Sequence, residues 1–210
     1  MGIIFDLDGT LFDSLEDLKN SLNIVLKRHG LPQHSSADYQ NYIGSGMKVL
    51  VDRAVPEDYL EKELILEEFL VEYGNRYYEY SRPYEGVVEL LIELNKRDIP
   101  IAICTNKRQD YTDDIIKRFF SEVDLVDVVG DRSDGLTKPN ATYTKEIAKK
   151  MNIDPSEILF VGDSDIDMQT SLNANMQGIG VSWGFRSVEE LKAAGAKAII
   201  NSPEDIFKLI

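Results

Sequence analysis

Residues 2–14 read GIIFDLDGTLFDS, and the first half of this stretch decides the fold. Ile3, Ile4 and Phe5 form the short apolar run expected of a strand buried on both faces. The run ends on two acids, Asp6 and Asp8, one residue apart. Side chains at i and i+2 of a strand point the same way, so both carboxylates are expected to face one spot. Burial penalises unpaired charge, and like charges so placed repel. A cation between them, or a retained proton on one of them, is required. Gly9 follows at once and allows a tight turn that brings backbone close to whatever the acids serve.

Working outward, the chain divides by pattern. Residues 15–82 read almost entirely as helix. SLEDLKNSLNIVLKRHG begins on a Ser cap, keeps helical apolar spacing and stops at Gly30, and LEKELILEEFLVEYGNRYYEY repeats that period. From Pro83 onward, helices alternate with apolar strands: IPIAICT, DLVDVVG, EILFVGD, MQGIGVSW and KAIINS. Near-continuous Ile, Val and Phe between helices imply a parallel sheet covered on both faces. The N-terminal strand belongs to that sheet in style, which makes the helical block an insertion. The expected fold is α/β, a doubly wound, Rossmann-like parallel-sheet core (residues 1–14 and 83–210) with an inserted helical cap (residues 15–82).

The 210-residue chain carries a formal net charge of −14, which argues against nucleic acid and anionic membranes as partners. No run approaches the roughly 18 apolar residues of a membrane span, and no signal peptide is read at the N-terminus. The single cysteine, Cys104, lies in an apolar run and reads as core filler. A reducing, cytoplasmic setting is therefore expected.

Sheets of this kind bind ligands beyond the carboxyl ends of their strands, and the reactive residues fall there. Asp6 and Asp8 follow the first strand, Thr105 and Asn106 follow IAIC, and Asp163 follows ILFVG. Lys138 sits in a loop leading into a helix. Such a set suits phosphoryl transfer. A hard cation such as Mg²⁺ takes oxygen ligands, here Asp6, Asp163 and the backbone carbonyl of Asp8. Asp6, kept ionised, serves as nucleophile. Asp8 serves as acid for the leaving alcohol and base for the attacking water, provided its environment raises its pKa. Gly9, Thr105, Asn106 and Lys138 hold the phosphoryl group.

DLDGTL, CTN, Lys138-Pro139 and GDSDID together resemble the four motifs of haloacid dehalogenase-superfamily phosphatases, in order and over nearly the whole chain. The resemblance implies Asp6 as nucleophile, Asp8 as acid/base, and Thr105 and Lys138 as phosphate ligands. It further implies Asp163 as a metal ligand, with Asp167 helping directly or through water. Within that superfamily NYIGSGMKVLVDRAV, TNK and the WGFRSVEELKAAGAKAIINSPEDI tail look like the phosphoglycolate phosphatase branch. That likeness implies that Gly44, Ser45, Gly46 and Lys48 reach over the site from the cap and select the substrate. The partner implied is a small phosphorylated metabolite, handled by a monomer or homodimer.

Rival readings separate on single positions. An EF-hand at DSDID fails because Met168 stands where glycine is needed and Ala174 where glutamate is needed. Dehalogenases lack the second aspartate. A sugar-phosphate mutase shares both aspartates and stays open, as does a non-enzymatic phosphoacceptor or binding protein on the same fold.

Overall fold

The structure, a computed structural model, describes all 210 residues. The chain enters as β1 (Gly2–Phe5), forms a two-residue β2 (Phe12–Asp13) and passes into four helices. These are α1 (Leu15–Arg28), α2 (Ser36–Tyr42), α3 (Met47–Ala54) and α4 (Lys62–Gly74). It returns through β3 (Arg82–Pro83), then alternates α5 (Val87–Lys96), β4 (Ile101–Arg108), α6 (Gln109–Phe119), β5 (Val128–Asp131) and α7 (Thr142–Met151). The series closes with β6 (Ile158–Gly162), α8 (Asp165–Ala174), β7 (Gln177–Val181), α9 (Val188–Ala193) and β8 (Ala198–Ile200). No helix is long and apolar enough to cross a membrane.

Six strands form one sheet in the order β5-β4-β1-β6-β7-β8, every neighbouring pair parallel. Alternation along β1 shows why the run was apolar throughout. Ile3 and Phe5 pack on one face with Ile101, Ile103, Leu159 and Val161. Ile4 packs on the other with Ala102, Cys104, Ile158 and Phe160. Both faces are therefore covered, as a parallel sheet requires. Because β1 lies between β4 and β6, the carboxyl ends of these three strands come together where the winding reverses.

The helical block has its own apolar cluster, drawn from residues between Leu18 and Tyr73. Leu18, Leu22, Val25 and Leu26 form the buried stripe of α1, which packs chiefly on α4. The block joins the sheet through the antiparallel pair β2–β3, a feature the sequence pattern did not announce. Two local expectations are corrected. Ser14 precedes α1, but its buried hydroxyl makes no cap bond and has no partner. The helical period of residues 60–80 also overstates α4, which stops at Gly74. Asp17, buried in α1, accepts the backbone N–H groups of Tyr80 (3.1 Å) and Ser81 (2.9 Å) and the Ser81 hydroxyl (2.6 Å). Those charge-assisted bonds draw the returning chain toward β3 and away from helix.

Candidate active site

The turn after β1 is built by its own backbone. Leu11 and Phe12 both donate to the Leu7 carbonyl, and Gly9 donates to Phe12. Gly9 has φ +82, and a Cβ there would lie 2.3 Å from Asp163 Oδ2. Only glycine lets this turn sit against the end of β6. Gly162 plays the matching part on the other side, since a Cβ there would lie 2.3 Å from the Asp167 side chain.

The carboxylates of Asp6, Asp163 and Asp167 converge, each offering an oxygen within 4.8 Å of the others, and all three are buried. Lys138 Nζ bridges two of them, 2.8 Å from Asp6 Oδ1 and 2.6 Å from Asp167 Oδ1. The second oxygen of Asp167 closes the start of α8, accepting from Asp163 N, Ser164 N and the Ser164 hydroxyl. Asp163 accepts from Phe185 N at 2.7 Å and Thr10 Oγ1 at 3.4 Å. Burial pushes the Asp6 carboxyl up to about 7, with Lys138 pulling it down and Asp167 and Asp8 pushing it further up. Burial, then the charges of Asp167 and Asp6, hold Asp163 well above the ordinary carboxylate range. Burial opposes the charge on Lys138 too, yet Asp167 and Asp6 keep it above the usual lysine range.

Three buried carboxylates against one ammonium leave unbalanced negative charge. A hard cation with oxygen ligands fits this donor set. Asp6, Asp163 and Asp167 are the side chains that could hold it. Asp8 is not among them; only its backbone carbonyl remains for that purpose.

Asp8 instead faces a second lysine. Lys107 Nζ lies 3.0 and 3.2 Å from its two oxygens and donates at 2.7 Å to Tyr73 Oη of α4. The crowding of Asp8 by other carboxylates, expected from the spacing of the two aspartates, is thus replaced by an ion pair. Burial works against the Lys107 charge, but Asp8 and Tyr73 push its pKa above the ordinary lysine range. Sequence reasoning missed this residue. Its only signal was its place in TNK, which counted as a branch resemblance and not as chemistry.

Thr105 and Asn106 are buried in β4, in the stretch between Cys104 and Arg108 where its pairing with β5 is interrupted. The Asn106 side chain is fully engaged. It donates to the Lys138 carbonyl (3.0 Å) and the Gly44 carbonyl (3.1 Å) and accepts from Lys138 N (2.7 Å). It fastens the lysine loop and the helical block to the strand, so its side-chain amide is not free for a phosphoryl oxygen. The Thr105 hydroxyl accepts from Lys107 N at 3.3 Å and keeps its own proton to donate.

A cavity of about 30 Å³ lies over the strand ends. Asp6, Asp8, Thr105, Asn106 and Lys107 line it from the sheet, and Leu18, Ile43, Gly44, Gly46, Met47 and Leu50 from the helical block. The block side carries no charged group. Gly44 and Gly46, both at positive φ, lead into the N-terminus of α3. Ser45 lies in the same turn but does not line the cavity. Lys48 is not brought there either; it is largely exposed and paired with Glu63 at 2.5 Å. Trp183 donates to the Thr10 carbonyl at 3.1 Å and packs on the sheet, while Phe185 packs on the helical cluster.

Comparison with known proteins agrees with this geometry. The family model for haloacid dehalogenase-like hydrolases matches residues 3–181. A phosphoglycolate phosphatase of Agrobacterium fabrum is 32% identical over 197 residues, 88% of this chain and 82% of that protein. An N-acetylmuramic acid 6-phosphate phosphatase of Pseudomonas aeruginosa is 28% identical over 99% of this chain and 93% of its own length. A crystal structure from Haemophilus somnus, described as a predicted phosphoglycolate phosphatase, superposes with a TM-score of 0.90 at 30% identity, covering 99% of this chain and 96% of its own. A match over residues 3–181, on a sheet whose strand ends gather Asp6, Lys138 and Asp163, places this chain in the haloacid dehalogenase-like hydrolase family.

Proposed function

We propose that this chain is a Mg²⁺-dependent phosphomonoesterase that hydrolyses a small phosphorylated metabolite through an aspartyl phosphate on Asp6. The observation that carries the reading is the convergence of Asp6, Asp163, Asp167 and Lys138 at the strand ends, with Asp8 held apart by its own cation. A Mg²⁺ ion bound by the three carboxylates would neutralise Asp6 and polarise the phosphoryl oxygens. Asp6 attacks phosphorus, and the bond from phosphorus to the ester oxygen breaks. Asp8, entering the step in its protonated form, gives that oxygen its proton. It then takes one from the water that attacks phosphorus, so that the acyl-phosphate bond breaks, inorganic phosphate leaves and Asp6 is regenerated. Lys138 and the Thr105 hydroxyl steady the phosphoryl oxygens as charge shifts.

The helical block acts as a cap over these residues and limits how much bulk water reaches them. About 30 Å³ admits a few waters but no phosphate ester, so the cap must open to load substrate. Its lining favours a short, acidic metabolite. The Gly44–Met47 turn presents the start of α3, which has no acidic residue in its first turn and no side-chain cap, a setting that suits a carboxylate. Phosphoglycolate meets those demands and is the first substrate to test. A sugar-phosphate mutase needs cations for a second phosphate, and the cap lining supplies none.

Phosphate release should be followed over a panel of phosphoglycolate, N-acetylmuramic acid 6-phosphate, hexose phosphates and bisphosphorylated sugars. We expect Mg²⁺-dependent release fastest from phosphoglycolate, absent in Asp6→Asn. Chelator-insensitive turnover, or an active Asp6→Asn protein, overturns the mechanism. Sugar isomerisation without phosphate release returns the mutase reading.

A further inference from the structure

Lys107 stands outside the residues that the phosphatase reading uses, yet it lines the cavity and its side chain is completely buried. A buried ammonium is retained only where partners compensate its lost hydration, and this one has two from opposite sides of the interface. Asp8 belongs to the turn after β1, and its carboxylate meets Nζ through both oxygens at 3.0 and 3.2 Å. Tyr73 belongs to α4 of the helical block and accepts at 2.7 Å. The tyrosine is itself fixed. It is 0% exposed, and its ring meets Phe69, Tyr77 and, edge-on, Tyr111 at centroid distances of 5.3–5.8 Å. Lys138 makes no comparable contact with the block: its ionic partners, Asp6 after β1 and Asp167 of α8, both belong to the α/β core.

We propose that Lys107 is a positioning residue for Asp8, and that Tyr73 completes its shell only when the helical block is closed, so that closure sets the acid/base carboxyl in place. The inference rests on the phosphatase reading and deepens it by naming what couples the cap to the proton-transfer step. With the block swung away, the ammonium loses its one neutral acceptor and Asp8 loses a fixed partner. Substrate would then meet the nucleophile without an aligned acid, and chemistry waits for closure.

The test measures rapid-quench phosphoenzyme formation, with Mg²⁺, from phosphoglycolate and from p-nitrophenyl phosphate, whose leaving group needs no acid. Lys107→Met should slow the first reaction about 10- to 100-fold and the second less than about threefold. Tyr73→Phe should slow the first about three- to tenfold with KM changed by less than about twofold. The double variant should be no slower than Lys107→Met alone, because both act through one carboxyl. Equal losses with both substrates, additive losses in the double variant, or a Tyr73→Phe effect confined to KM each overturn the proposal. Should Lys107→Met fail to fold, Tyr73→Phe decides by the same leaving-group comparison. Asp8→Asn separates the two levels. If it shows no leaving-group dependence, the acid role itself falls; if it does and Lys107→Met does not, only the positioning role falls.

Discussion

The two buried lysines of the site make an instructive pair. Lys138 is held wholly by the α/β core: its backbone hangs on Asn106 of β4, and its ammonium joins Asp6 of the β1 end to Asp167 of α8. Lys107 is held half by the sheet, through Asp8, and half by the helical block, through Tyr73. The same residue type thus builds a site held by the core alone on one side and a site shared by core and helical block on the other. Polar ties cross between the regions at several places, Tyr111 Oη to the Leu70 carbonyl and Tyr77 Oη to Asp114 among them. They include Asn106 to the Gly44 carbonyl, Tyr73 to Lys107, and Arg186, whose guanidinium donates to the carbonyls of Gln40, Asn41 and Ile43 (2.9 Å for the last).

If the nucleophile centre is as fixed and charge-strained as its geometry says, Asp6 carries the largest effects. Asp6→Asn should lower phosphate release by about 10³-fold or more, because no other carboxylate stands in the same place. The same variant should stabilise the metal-free fold at high pH. The Asp6 carboxyl binds its proton more tightly folded, with a pKa of about 7, than unfolded, near 3.8. Its contribution is therefore fully present below about pH 4 and lost as pH rises through about 7. Thermal melts in chelator should show Asp6→Asn gaining on the native chain by on the order of 2–4 kcal/mol between pH 4 and pH 8. Mg²⁺ should shrink that gap by stabilising the native chain, and a gap unchanged by pH or Mg²⁺ would show that Asp6 is not under this strain.

The ties between regions should matter less, and in order of how many they serve. Asn106→Ala frees both the lysine loop and the Gly44 turn, and should reduce kcat/KM about 10- to 100-fold. Arg186→Met keeps the aliphatic stem but removes the donors at the end of α2. It should raise KM about three- to tenfold with kcat nearly unchanged, as expected when the closed form is less populated. A fall in kcat with constant KM would place Arg186 in the chemistry instead. Lys48→Ala, which removes an exposed pair, should alter activity by less than about twofold. A larger change would mean that Lys48 leaves Glu63 and reaches the substrate.

Much of this was legible in the chain. The strand Ile3–Phe5, its acids, and the placing of Thr105 and Asp163 at the ends of neighbouring strands and of Lys138 in a loop before a helix followed from apolar runs and their order. A parallel sheet needs buried faces, and buried faces leave a strong mark on sequence. The exceptions share a cause. The turn at Gly74, the pair β2–β3, the engagement of Asn106 and the partner of Asp8 all depend on residues distant in the chain. Tyr73 and Lys107 are 34 positions apart, and Lys107 and Asp8 are 99 apart.

By itself the sequence determined the sheet, the run of helices that follows its first strand and the residue types near the strand ends, because these rest on local periodicity and chain order. Only the tertiary structure decided which lysine pairs with which aspartate, and that the lysine beside Asp8 also meets a tyrosine from the helical block. Ion pairs in a buried site are settled by a few ångströms of three-dimensional placement, and one-dimensional spacing carries no such distance.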